Sequence, residues 1–89
     1  MMKKDIKKSA KRRLAIIGGQ VRGIEEMVNG EKYCVDIITQ IEAVREALSS
    51  VGSLILQNHL ETHVMHQMKH GDEKKATSEI LKIYKLKSK

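Results

Sequence analysis

Five side chains in this sequence are of the types that bind transition metals. Four are histidines, and their spacings of four, three and four residues place them along one stripe of a helix. Such a row of imidazoles indicates a metal site, with a polar surface stripe as the alternative. The fifth is the single cysteine: a thiolate with imidazoles suits Cu(I), Zn(II), Ni(II) and Co(II), although a lone cysteine is often just a small core residue. These residues are Cys34, His59, His63, His66 and His70.

Cys34 cannot reach the first two histidines within one chain if a single helix carries them all. The 25 residues from Cys34 to His59 span roughly 37 Å at about 1.5 Å per residue. Two arrangements remain. In the first, residues 49–53 form a turn, and the helix folds back so that Cys34 comes level with the last two histidines. In the second, the helix stays whole and packs antiparallel against its copy in a two-fold dimer, with Cys34 facing His59 and His63 of the other chain.

Residues near the middle of this segment favour the dimer. The stretch 49–53 holds one glycine and no Asn, Asp or Pro, which is a weak composition for a turn. Ala43, Ala47 and Ser50 form a stripe of small residues where two helices could approach closely. We therefore expect the metal ligands to come from two chains.

The elements that position these residues are all predicted to be helices. Apolar residues recur every three or four positions through residues 5–28, and Asn29-Gly30 ends that helix. A second helix of more than 30 residues opens near Tyr33 and ends before Gly71. A shorter third helix follows, with Ala76 and Ile80 on its inner face. The sequence thus predicts one all-α domain over residues 1–89, with three helices and a long central one.

Length and composition exclude several classes of protein. With 89 residues, two Tyr, and no Phe, Trp or Pro, the core must be built from small and aliphatic residues, so we expect a homo-oligomer. One cysteine excludes an internal disulfide framework and favours a cytoplasmic location. No apolar run approaches 18 residues, which argues against a membrane span and a secretion signal.

Charge is concentrated at the two ends of the chain. Residues 1–13 carry seven basic residues and one acidic one, and residues 69–89 carry seven and three. Residues 14–68 carry three basic and seven acidic ones. This distribution indicates a polyanion such as nucleic acid, approached by the basic ends, or simply a solubility feature.

Nearly the whole chain carries motifs of one bacterial family. These are Arg13-Leu14, Ile17-Gly18-Gly19-Gln20-Val21-Arg22-Gly23-Ile24, Tyr33-Cys34-Val35-Asp36, Gln40-Ile41, Ala43-Val44-Arg45 and Asn58-His59-Leu60-Glu61-Thr62-His63. In them the sequence resembles the copper-sensitive operon repressor (CsoR) family of metal-responsive transcriptional repressors. The resemblance implies an antiparallel helical dimer that assembles as a dimer of dimers. It also implies that the apo form binds operator DNA and that metal binding releases it.

The resemblance also assigns roles to individual residues. Cys34, His59 and His63 correspond to the metal ligands, and Tyr33 and Glu79 to hydrogen-bond partners of the first histidine. Three donors suit Cu(I), whereas Zn(II) prefers four. Ni(II)- and Co(II)-responsive relatives typically recruit a histidine near the N-terminus, and this chain has none before position 59. We therefore expect Cu(I), with Ni(II), Co(II) or Zn(II) as alternatives.

For DNA, Arg13 matches a basic position of the family, and Lys8, Arg12 and Arg22 are expected to support it. Ser50 stands where relatives commonly carry a basic residue. The resemblance leaves His66 and His70 without a role.

Three other classes compete with a repressor. An architectural DNA-binding protein would share the basic ends but would have no use for the metal ligands, and a small copper carrier would bind metal and ignore DNA. A thiol enzyme would need a base and an orienting group beside Cys34, and the sequence holds no phosphate loop or nucleophile motif to support one. We expect a non-enzyme.

Overall fold

The computed structural model describes residues 2–87, and these residues form helices joined by two short turns. The elements are α1 (Lys4–Asn29), α2 (Cys34–His59), a π-helical segment (Leu60–Val64), α3 (Met65–Lys69) and α4 (Glu73–Lys87). Since α2, the π-helical segment and α3 follow one another without a break, they form one continuous helix over residues 34–69. The predicted three-helix, all-α architecture is confirmed, and the alternative turn at residues 49–53 is wrong.

Glycines end both of the longer helical runs. The N–H of Gly30 donates to the Glu26 carbonyl at 2.9 Å, which ends α1 where the sequence predicted. Gly71 has φ = 77°, a left-handed conformation that glycine adopts without a steric penalty. Beyond it, the N–H of Asp72 donates to the Gln67 carbonyl at 2.8 Å. This turn reverses the chain, so α4 packs back on α3 and the π-helical segment.

The core lies between α1 and α2. Ala10 and Ile17 from α1 meet Val44 and Val51 from α2, and Ala47 packs against this cluster. Ser50 also faces α1, because it accepts a hydrogen bond from that helix. The expectation that Ala47 and Ser50 line the approach of a second copy is therefore wrong: on these two positions α2 contacts α1 of the same chain.

The chain exposes more surface than its mass predicts. Its accessible area is 7281 Å², against about 5,300 Å² for a compact monomer of 10.1 kDa. The Cα atoms extend 57 × 29 × 13 Å, so the molecule is flat and elongated. Several large apolar side chains are 41–57% exposed, namely Leu14, Val21, Val28, Ile38, Ile41 and Leu48. This excess apolar surface is what a second copy of the chain can bury.

Among the helices of residues 2–87, none combines the length and the apolar character needed to cross a membrane.

Candidate metal centre and nucleic-acid interface

His59 and Glu79 form a short polar contact at the candidate metal ligands. His59 Nε2 and Glu79 Oε2 lie 2.5 Å apart, and about a third of each side chain is exposed. An ionised carboxylate only accepts hydrogen bonds, so Nε2 carries the proton and donates it. The hydrogen bond from His59 is the main cause that lowers the pKa of Glu79. His59 is thereby oriented with Nδ1 as its free lone pair, the atom available to a metal.

His63 lies one turn further along, inside the π-helical segment. Its ring stacks on that of His59 with centroids 5.0 Å apart and planes inclined by 20°. The side chain is exposed and makes no hydrogen bond within residues 2–87. Two imidazoles thus stand side by side, one of them held by α4.

The four histidines contact one another through their rings. They fall into two pairs, His59 with His63 and His66 with His70. The π-helical segment over Leu60–Val64 includes His63, and its i→i+5 hydrogen bonding makes a wider turn than that of an α-helix. Within residues 2–87, no three His, Cys, Asp or Glu side chains converge into a group that could hold a metal. The alignment of all four along one stripe stays a prediction.

Cys34 and Tyr33 lie at the opposite end of α2. Cys34 is the first residue of that helix and is exposed, and Tyr33 precedes it with a ring that is 68% exposed. Because α2 is continuous, roughly 37 Å separates Cys34 from His59. The structure brings His59, His63 and Glu79 together in one chain and leaves Cys34 and Tyr33 remote from them.

Cys34 and His59 nevertheless belong to one face of α2. Positions 34, 41, 48 and 55 recur every seven residues, as do 38, 45, 52 and 59, and the two rows are adjacent on the helix. Exposed apolar residues occupy this face between its two ends. We call it the outer face of α2, defined by Cys34, Ile38, Ile41, Leu48, Gly52 and His59.

A cleft of about 480 Å³ opens beside His59, between α2 and α4. Its polar part consists of His59, Glu79, Lys82 and Lys87, and the remaining wall is mainly aliphatic, with Ile55, Leu56 and Ile83. His59 therefore lies beside space that side chains from another copy can enter.

The candidate DNA-binding residues occupy two faces of α1. Arg13 is half-buried and donates from Nη1 to Ser50 Oγ at 3.2 Å, in a groove between α1 and α2. Lys8, Arg12 and Arg22 are exposed elsewhere on the helix. Lys8 is rotated about 140° from Arg13, since an α-helix advances about 100° per residue. On the exposed side, four lysines line one strip, namely Lys4, Lys7, Lys8 and Lys11, which we call the lysine strip.

A contact between the start of α1 and the end of α2 was not predicted from the sequence. The backbone N–H of Lys3 donates to Oδ1 of the buried Asn58 at 3.1 Å, and Lys3 Nζ pairs with Glu61 Oε2 at 3.1 Å. Glu61 accepts a further hydrogen bond from Gln57, and this bond, followed by Lys3, lowers its pKa. No sequence signal joins residues 55 or more positions apart. The lysine strip, by contrast, could have been recognised from its spacing of three, one and three.

Comparisons with known proteins agree on one family. A family model described as "metal-sensitive transcriptional repressor" matches residues 6–85. The chain is 45% identical over 73 residues to the copper-sensing transcriptional repressor CsoR of Bacillus subtilis (82% of this chain, 72% of that protein). It is 45% identical over 60 residues to the copper-sensing repressor RicR of Mycobacterium tuberculosis (67% of this chain, 62% of that protein).

A solved structure extends the agreement to the fold. The crystal structure of the copper-sensing repressor CsoR with Cu(I) from Geobacillus thermodenitrificans NG80-2 superimposes with a TM-score of 0.92 at 32% identity. The match covers all of this chain and 93% of that one.

Proposed function

Because this chain belongs to the metal-sensitive transcriptional repressor family, we propose that it is a Cu(I)-responsive repressor that binds operator DNA as the apo protein and releases it when Cu(I) binds. The named relatives are copper-sensing repressors, and the matching crystal structure contains Cu(I). The observation that carries the proposal is the placement of Cys34 and His59 at the two ends of one exposed apolar face.

The outer face of α2 explains how two incomplete sets of ligands become one. Antiparallel packing of this face against its copy, crossing near residue 47, buries Ile41 and Leu48 and sets Cys34 opposite the partner's His59 and the partner's His63. The family's second hydrogen-bonding residue, Tyr33, arrives with Cys34 at the same place. A thiolate and two neutral imidazoles are donors that Cu(I) accepts in three-coordinate form.

The large exposed surface area of the single chain supports assembly into at least a dimer. The excess of roughly 2,000 Å² over a compact monomer is of the size that obligate interfaces bury. It includes apolar residues on α1 and α4 that lie off the outer face of α2, such as Val21 and Leu81. A dimer of dimers would cover this second set of surfaces.

DNA binding is assigned to both basic faces of α1. Arg13 is held by Ser50 in a fixed direction, which suits a contact of defined geometry with a phosphate or base edge. The lysine strip, with Arg12 and Arg22 beside it, offers mobile charges that attract phosphates without reading sequence. The affinity for operator DNA should therefore fall steeply with salt.

Two contacts of this chain can carry the state of the metal site to the basic helix. When bound, Cu(I) supplies a link between the two copies. Cys34 gives up its thiol proton, and His59 retains the Nε2–H bond to Glu79, so α4 shares the constraint. On the other side, Asn58 and Glu61 hold Lys3 at the start of α1. A coupling of about 1–3 kcal/mol corresponds to about 5- to 150-fold weaker DNA binding.

Anaerobic titration of the protein on its own promoter DNA tests the proposal. Cu(I), Ni(II), Co(II) and Zn(II) are added separately to the wild type and to Cys34→Ala. We expect Cu(I) to release DNA from the wild type and not from the variant, while apo DNA binding is equal in the two. Release by Cu(I) from Cys34→Ala would remove the thiol from the mechanism. An absence of DNA binding alongside tight Cu(I) binding would identify a copper carrier.

A further inference from the structure

We propose that His66 and His70 form a second metal site, which takes a divalent ion of the Ni(II) and Zn(II) class and is separate from the Cu(I) ligands. The pair belongs to α3 and to the residue that ends it. Four-residue spacing on a helix directs two imidazoles to the same side, which is the arrangement of paired histidine ligands in helical zinc sites.

The geometry of the pair suits chelation. The two ring centroids lie 4.2 Å apart with planes inclined by 47°, closer than the His59 and His63 rings. Both side chains are exposed, and neither ring has a hydrogen bond or ion pair within residues 2–87. Their nitrogens are consequently free for a ligand, with water completing the coordination sphere.

Its surroundings distinguish this pair from the first one. One ring nitrogen of His59 is hydrogen-bonded to Glu79, whereas no ring nitrogen of His66 or His70 is hydrogen-bonded within residues 2–87. No third His, Cys, Asp or Glu within residues 2–87 joins His66 and His70 in a group that could hold a metal. A metal on the second pair therefore leaves the contacts of His59 unchanged.

The ligand types of the two sites favour different ions. Cu(I) prefers the site that contains the Cys34 thiolate, while imidazoles with water suit borderline divalent ions. A divalent ion on His66 and His70 contacts neither Cys34 nor the residues that hold Lys3. The protein should accordingly bind Ni(II) or Zn(II) on this pair without releasing DNA.

Calorimetry with the full chain, already loaded with one equivalent of Cu(I) under anaerobic conditions, tests this site. Ni(II) and Zn(II) are titrated into the wild type, the double variant His66→Ala/His70→Ala, and Lys69→Ala, which alters an exposed residue of the same helix. We expect one further equivalent per chain in the wild type and in Lys69→Ala. The double variant should bind at least tenfold more weakly. Circular dichroism checks that its helices persist.

A loss smaller than tenfold in the double variant overturns the proposal, as does disappearance of the second equivalent in Cys34→Ala. A DNA-binding assay adds a second criterion: Ni(II) at a concentration that fills the pair leaves the DNA bound, and release by Ni(II) that depends on His66 and His70 contradicts the inference. This result is independent of the repressor proposal, because failure of Cu(I) to release DNA leaves the calorimetric outcome unaffected.

Discussion

Arg13 on α1 donates a hydrogen bond to Ser50 on α2, so the basic residue expected to contact DNA is oriented by the helix that carries the candidate metal ligands Cys34 and His59. Arg13→Ala should lower operator affinity at least about tenfold and reduce the slope of log affinity against log salt by about 1 for each phosphate that Arg13 neutralises. Ser50→Ala keeps the charge and should weaken binding with no change of slope. Fluorescence anisotropy across a salt series measures both. Lys32→Ala, which removes an exposed basic side chain from the turn between α1 and α2, is the control and should match the wild type.

Replacement of the lysine strip should act differently from Arg13→Ala. Glutamine at all four positions removes mobile charges, and the salt slope should flatten by up to about 0.9 for each lysine that lies on a phosphate. Affinity for operator and for unrelated DNA should fall by the same factor. If operator binding fell selectively, the strip would be reading bases and the division of α1 into two faces would be wrong.

The contact of Lys3 with Glu61 should affect the coupling between Cu(I) binding and DNA release more than it affects the Cu(I) affinity itself. Glu61→Gln removes the ion pair while leaving an amide that can bond to Gln57. We expect the ratio of DNA affinities without and with Cu(I) to shrink a few-fold, with little change in Cu(I) affinity. Glu46→Gln neutralises an exposed carboxylate elsewhere on α2 and should leave the ratio unchanged. An equal ratio of DNA affinities in the two variants would show that the contact of Lys3 does not transmit the state of the metal site to α1.

The His59–Glu79 bond predicts a specific pH dependence of the apo protein. Because His59 lowers the pKa of Glu79 in the folded state, the stabilisation is fully present above the unfolded pKa of about 4.3 and disappears as the pH falls through the folded value. In His59→Ala the Glu79 pKa should rise toward its ordinary value. Carboxyl NMR titration measures it directly. Urea unfolding at fixed protein concentration should show a smaller loss of stability on acidification for the variant than for the wild type.

A charge placed on the outer face of α2 should separate the copies. Ile41→Glu puts a carboxylate on the outer face of α2, where antiparallel packing against a second copy would bury it. Burial of an unpaired charge is unfavourable. Sedimentation should show a smaller assembly, and Cu(I) affinity should fall although no ligand is altered. Thr39→Glu adds the same charge to another exposed face of the helix and should do neither. Unchanged Cu(I) affinity in dissociated Ile41→Glu would place the ligands within one chain.

Periodicity and glycine positions were sufficient to predict the helices. The recurrence of apolar residues every three or four positions through residues 5–28 and the stop signal at Asn29-Gly30 are local properties of the chain, and both hold in the structure. The distance from Cys34 to the histidines also follows directly, because it depends only on the helix being continuous.

What the sequence could not predict depends on packing across long separations. The π-helical segment that contains His63 has no proline or glycine to mark it. Ala47 and Ser50 face α1 of the same chain because of how the core between α1 and α2 packs, and their small size did not predict this. The contact of Lys3 with Asn58 joins chain ends that share no periodic pattern.

The distance between Cys34 and His59 also has a genetic consequence. A chain that has lost its thiol still offers both imidazoles, and a chain that has lost His59 still offers its thiol. When these two damaged chains pair, one centre of the mixed dimer receives every ligand and the other lacks both the sulfur and the first imidazole. Two alleles that are each unable to respond to copper should therefore complement one another when expressed in the same cell.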